Sequence, residues 1–138
     1  MDVQDLGYAL TQVVHNFGAV AVTAGAAAGR WIRSSTTSDL TRRFAWLVLG
    51  GWVAQAISGA TFGAISYASF GQFPEIHGIA MAALSVKITC AVAGIGLCAL
   101  YLAREPNWTQ TQRGDAWTAL LTFAAAALCA AAFLRWFS

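Results

Sequence analysis

Four long apolar segments, separated by short polar connectors, make up most of this 138-residue chain. An α-helix rises about 1.5 Å per residue, so roughly 20 apolar residues cross a hydrocarbon core of about 30 Å. Each segment reaches that length, and short connectors favour antiparallel neighbours in one bundle. The segments run from Gly7 to Gly29, Phe44 to Ser69, Gly78 to Ala103 and Ala116 to Phe137. We therefore expect an all-α fold, an integral membrane four-helix bundle that forms a single domain over residues 1–138.

Arginine is distributed unequally between the two sides of this predicted bundle. The connectors 30–43 and 104–115 contain six arginines, whereas the opposite side carries only Arg135. Because basic residues accumulate in cytoplasmic loops, both connectors are expected in the cytoplasm and both termini outside, in the periplasm. The acidic start MDVQD lacks the positive charge of a signal peptide, so the first segment is expected to remain as a helix. These features predict a multi-pass protein of the bacterial inner membrane.

Most tryptophans and two tyrosines lie near the predicted segment ends, as in an aromatic belt at the membrane interface. Trp52 lies deeper in its segment and is expected to be a packing residue. The residues assigned to the belt are Trp31, Trp46, Trp108, Trp117, Trp136, Tyr8 and Tyr67.

Three ionisable side chains lie inside or at the border of the apolar segments: His15, His77 and Lys87. An ionisable group costs several kcal/mol at bilayer depth, so these residues are candidates for a functional site. The first and third helices run in the same direction, and counting about 1.5 Å per residue from their centres places His15 and Lys87 at one level. The same count places His77 about 15 Å further outward, near the headgroups. We expect a site at His15 and Lys87, with His77 as a further possible ligand.

Small residues share the face of His15 along the first helix, including Gly18, Ala19 and Val22. Such a stripe can accommodate a flat tetrapyrrole, and it is also the usual contact surface between membrane helices. Gln55, near the middle of the second segment, needs a hydrogen-bond partner there. It is a candidate to orient an imidazole or a quinone carbonyl.

Each candidate also has a purely structural interpretation. His15 can simply form a hydrogen bond to another helix, and His77 can lie at the surface where the third helix begins. Lys87 lies too far from either helix end to reach water, so it needs an internal partner. Imidazole is a common ligand of haem iron and of metals, which makes His15 and His77 candidate metal ligands.

Two stretches, VVHNFGAVAVTAG in the first segment and HGIAMAALSVKITCAVAGIGLCALYLAR in the third, carry a resemblance to a known family. They resemble the superfamily of four-helix membrane proteins that includes HemJ-type protoporphyrinogen oxidases and the CopD-like copper-resistance domain. HemJ-type proteins bind haem b and depend on a histidine in the first helix and a lysine in the third. The resemblance implies these roles for His15 and Lys87.

We predict a small cytochrome-b-like protein that binds haem b and passes electrons between a redox partner and the quinone pool. Lys87 is the candidate catalytic residue, and His15 and His77 are the candidate metal ligands. The cofactor-binding residues would be His15, Lys87, His77, Gly18, Ala19, Val22 and Gln55. One alternative is a non-catalytic accessory subunit of a larger respiratory or photosynthetic complex, and others are HemJ-like oxidase activity and CopD-like copper transport. The expected partners are membrane lipid and either further copies of the chain or a larger complex, with no nucleic acid.

Overall fold

A computed structural model of the chain describes residues 3–32, 38–71 and 76–137. These residues form four long helices and one short 3₁₀ turn, Glu105–Asn107, between the third and fourth helices. The long helices are α1 (Val3–Ile32), α2 (Ser38–Phe70), α3 (Ile79–Arg104) and α4 (Gln110–Phe137). The predicted all-α four-helix fold is confirmed over the described residues.

The helices α2 and α4 begin about six residues earlier than the apolar segments predict. Residues 38–43 and 110–115, assigned to connectors from their charges, are helical. Thr109 and Gln112 form a capping box before α4: the Thr109 amide donates to Gln112 Oε1, and the Gln112 amide donates to Thr109 Oγ1. The apolar segments mark where a bilayer could end, and a helix can continue beyond that point. At α4 the capping residues set where the helix begins.

Contacts between neighbouring helices form a ring around the bundle. α1 packs mainly on α2 and α3 mainly on α4, while smaller contacts join α2 to α3 and α1 to α4. α1 and α3 therefore face each other across a diagonal. We call the end of the bundle that carries Arg30, Arg42, Arg43, Arg104 and Arg113 the arginine end. There, Arg30 Nε donates to Thr118 Oγ1 at 2.8 Å, and Arg42 Nη1 donates to the Leu102 carbonyl at 3.1 Å.

Two buried tryptophans fill the core, and each lies against a glycine of a neighbouring helix. The Trp52 indole on α2 contacts Gly94 on α3, and the Trp117 indole on α4 contacts Gly29 on α1. The packing role predicted for Trp52 is confirmed. Assigning Trp117 to an interfacial belt was wrong, because it is fully buried and also contacts the Tyr101 ring edge to face at 5.3 Å.

The outer surface of the bundle is apolar. Large hydrophobic side chains are exposed on all four helices, among them Phe17, Ile57, Val92 and Phe133. α2, α3 and α4 are long and apolar enough to cross a membrane by length and composition. α1 is equally long but includes Gln12, His15 and Asn16, and its crossing of a membrane stays a prediction.

Candidate functional site: a half-buried histidine and lysine

His15 and Lys87 meet inside the bundle. Lys87 Nζ lies 2.8 Å from His15 Nε2, although the two residues belong to the diagonal helices α1 and α3. Lys87 lies on the face of α3 that also buries Ala83 and Cys90, and His15 is one turn before the buried Gly18 of α1. The predicted common level of His15 and Lys87 is thereby confirmed.

α2 supplies two polar side chains to the same place. Ser58 Oγ lies 2.7 Å from His15 Nδ1 and donates its own hydrogen to the Ala54 carbonyl at 2.6 Å. Gln55 Nε2 donates to the main-chain carbonyl of His15. Gln55 and Ser58 are both buried, and Ser58 contacts the imidazole whereas Gln55 contacts the main chain of His15. We refer to His15, Gln55, Ser58 and Lys87 as the polar cluster.

An aromatic ring lies against the imidazole within the bundle. The Phe62 ring meets the His15 ring edge to face, with centroids 5.7 Å apart and planes at 70°. The Tyr8 ring stacks on the Phe62 ring, with the two centroids 6.2 Å apart. The imidazole therefore has hydrogen-bond partners at both nitrogens and an apolar neighbour beside its ring.

Ser58 and Phe62 are the residues of this site that the sequence analysis did not identify. A signal for them was present, because Gln55, Ser58 and Phe62 are spaced by three and four residues and so share one face of α2. The sequence gives no reason to single out Ser58, because it is one of many small residues in that helix and serine is an ordinary packing residue there.

The structure does not bring His77 into the polar cluster. His77 is exposed and lies two residues before the start of α3. It precedes Lys87 by ten residues, which corresponds to about 15 Å along a helix. A role for His77 as a ligand stays a prediction. In this arrangement a group bound by His77 would lie apart from a group bound by His15.

The small residues that follow His15 pack against α2 in this structure. A methyl group on Gly18 would lie 3.2 Å from the Gly51 carbonyl oxygen and 3.3 Å from Gln55 Nε2. Val22 is buried against Gly51, and Ala19 is half-buried. Of the two interpretations of this stripe, the geometry favours the contact between helices over an open groove for a tetrapyrrole.

One atom of the polar cluster, His15 Nε2, is suited to bind haem iron. A metal-ligating histidine usually donates its second ring N–H to a neighbouring group, and His15 Nδ1 is placed to do this with Ser58. His15 Nε2 is then the available ligand atom, but it is in contact with Lys87, which would have to move aside. The described residues bring together no group of three His, Cys, Asp or Glu side chains for a metal ion.

The cysteines lie outside the polar cluster. Cys90, Cys98 and Cys129 are free thiols, the first two of them buried in the core. Cys90 and Cys98 act there as small packing residues, whereas Cys129 is exposed.

Comparison of the chain with protein-family models, with curated protein sequences and with solved structures gave no match. The resemblance to the CopD and HemJ superfamily therefore stays a prediction from the residues that carry it.

Proposed function

We propose that this chain is a small membrane redox protein that holds haem b through His15 and passes electrons between a redox partner and the quinone pool. The membrane assignment is supported by three helices of sufficient length and hydropathy and by the apolar outer surface of the bundle. The uneven distribution of arginine supports insertion with both termini outside, in the inner membrane of a bacterium. The chain acts with further copies of itself or as a subunit of a larger complex.

The observation that carries this proposal is the pairing of His15 and Lys87 in the bundle interior. A lysine and a histidine placed on diagonal helices at one level are costly in an apolar bundle, and such residues are commonly kept for function. Haem b supplies one-electron chemistry when it is bound. The protein would contribute position and charge around that cofactor.

Each residue of the polar cluster has a defined task in this proposal. His15 would hold the haem iron through Nε2, and Ser58 holds the ring through Nδ1. Lys87 would leave Nε2 when haem is bound, and it would then neutralise a propionate or hold the iron through its neutral amine. Gln55 holds the main chain of His15, so its amide nitrogen is already occupied and it is a weaker candidate for binding a quinone carbonyl.

An absorption spectrum tests the proposal. The protein, purified in detergent from haem-supplied cells, is expected to show a Soret band that shifts on dithionite reduction, and pyridine haemochrome analysis should identify haem b. His15→Ala should lose this spectrum because the iron ligand is gone, and Lys87→Met should alter it.

His77→Ala is the matched control, because it removes the other imidazole of the chain from an exposed position. It is expected to retain the spectrum of the unmodified protein. A protein that stays colourless under these conditions contradicts the proposal, and loss of haem in His77→Ala would assign ligation to both histidines.

One observation favours a second candidate function, that of a non-catalytic accessory subunit. Both ring nitrogens of His15 already have protein partners, as in a polar link that only joins helices. In that case the purified protein is colourless, and Lys87→Met weakens its assembly into a larger complex. Co-purification of the complex with tagged protein measures this.

The resemblance also keeps two further activities open as proposals. For a HemJ-like oxidase the electron source would be protoporphyrinogen, and its oxidation by purified protein would show this activity. Copper transport of the CopD type would be supported by metal analysis in which His77→Ala loses copper.

A further inference from the structure

We propose that Ser58 is a positioning residue that fixes the tautomer of His15. It makes Nδ1 the protonated nitrogen and leaves Nε2 as the lone pair that faces Lys87. The consequence of this arrangement for haem binding rests on the proposed function. The tautomer itself is a property of the protein without any cofactor.

The direction of the hydrogen bonds follows from the single hydrogen of the Ser58 hydroxyl. That hydrogen is donated to the Ala54 carbonyl at 2.6 Å, and a second, longer contact of 3.3 Å reaches the Gln55 carbonyl. Toward His15, Ser58 Oγ can therefore act only as an acceptor. The partner atom at 2.7 Å, His15 Nδ1, must then carry a hydrogen.

The other ring nitrogen is consistent with this assignment. In a neutral imidazole one nitrogen is a donor and the other an acceptor. As an ammonium, Lys87 has hydrogens to donate and no lone pair, and its Nζ lies 2.8 Å from His15 Nε2. The hydrogen bonds therefore run in one direction, from Lys87 through the imidazole and the Ser58 hydroxyl to the Ala54 carbonyl.

This chain of hydrogen bonds ends on a main-chain carbonyl, which does not accept a proton for onward transfer. Its role is therefore to orient the ring, and it does not conduct protons along α2. Phe62 packs edge to face against the imidazole and so helps to hold the plane of the ring. Gln55 holds the main chain of His15 from the same face of α2.

The experiment is nitrogen NMR on cofactor-free protein in lipid nanodiscs, with ¹⁵N-labelled histidine. The chain contains two histidines, so the spectrum is simple, and His77→Gln assigns the signals. The His15 signals should show the Nδ1–H tautomer, while exposed His77 serves as an internal reference. In Ser58→Ala the ratio of Nδ1–H to Nε2–H should fall about 3- to 10-fold, as expected for the loss of one hydrogen bond.

Two variants separate this role from a general effect on packing. Ser58→Thr keeps a hydroxyl that can donate to the carbonyl four residues earlier, and it should retain the Nδ1–H tautomer. Ser66→Ala removes another buried serine two turns along α2 and should leave the tautomer unchanged.

An Nε2–H or doubly protonated His15 in the unmodified protein would overturn the inference. So would a Ser58→Ala spectrum in which the ratio of Nδ1–H to Nε2–H is the same as in the unmodified protein. If Ser58→Ala does not fold, the unmodified protein and Ser58→Thr still decide the question.

A second measurement, haem titration, should give about 10- to 100-fold weaker binding for Ser58→Ala. If His15 is the Nδ1–H tautomer but the protein binds no haem, only the proposed function is contradicted. If the protein binds haem while His15 is the Nε2–H tautomer, only this inference is contradicted.

Discussion

At the scale of single residues, close packing around two tryptophans organises the core. The Trp52 and Trp117 side chains are the largest that are fully buried, and each occupies space left by a glycine of the next helix. Any side chain on Gly94 or Gly29 would overlap an indole ring. These glycines are therefore required by shape, whereas Gly96 of α3 has open space where a side chain would lie.

Substitution of Gly94 tests this packing. Gly94→Ala is expected to lower the free energy of unfolding by about 1–3 kcal/mol, because the added methyl group displaces the Trp52 indole. Gly96→Ala adds the same methyl group two residues away and should leave stability unchanged or raise it by up to about 1 kcal/mol. The thermal unfolding midpoints of both variants in detergent, followed by circular dichroism, measure the difference. Equal midpoints would show that Trp52 has room to move.

At the scale of helices, the connection from α3 to α4 is held by polar contacts at the arginine end. α3 ends at Arg104, and the 3₁₀ turn Glu105–Asn107 leads to the capping box of α4. The Glu105 side chain is 4% exposed and lies 3.3 Å from Arg113 Nη1. The ion pair of Asp39 and Arg43 at the start of α2 is instead 72% and 77% exposed. These two pairs should contribute differently to stability.

Replacement of the two arginines compares the pairs directly. Arg113→Gln leaves the Glu105 carboxylate buried without its cation and should lower the free energy of unfolding by about 1–3 kcal/mol. Arg43→Gln breaks an exposed pair and should change it by less than about 1 kcal/mol. Denaturant titration of both variants in the same detergent measures this. A smaller effect of Arg113→Gln than of Arg43→Gln would mean that Glu105 reaches water.

At the scale of the whole molecule, the bundle has an apolar exterior and a polar cluster inside. Exposed hydrophobic side chains cover all four helices, and the polar cluster lies between α1, α2 and α3. This distribution is the one that a hydrocarbon environment favours, because polar groups are expensive on the lipid side. The arginine end then defines the expected cytoplasmic side.

Cysteine labelling tests the orientation. In a variant with Cys90, Cys98 and Cys129 replaced, Ser69→Cys should react with an impermeant maleimide in spheroplasts, because α2 ends on the outer side. Asn107→Cys, in the turn between α3 and α4, should react only after the membrane is opened. The two positions are exposed and lie at opposite ends of the bundle, so each is the control for the other. A reversed pattern would show the opposite orientation.

Much of this molecule can be predicted from the order of its residues. The number of helices follows from four apolar runs, and the common level of His15 and Lys87 follows from the fixed rise of a helix. Both depend only on the order and spacing of residues along the chain, so they can be predicted without knowing how the helices pack. The starts of α2 and α4 do not follow from the apolar runs, because each helix continues for six residues into polar sequence. For α4 the capping pair Thr109 and Gln112 marks the start.

Only the tertiary structure decided which faces of the helices meet. The rotation of each helix about its axis places Ser58 on His15 and buries Trp117 against Gly29. This rotation depends on the fit of all side chains at once, and a stripe of small residues such as that of Gly18 and Val22 is compatible with more than one partner. The sequence by itself determined the helices and the depth of the two ionisable groups, whereas packing determined their contacts.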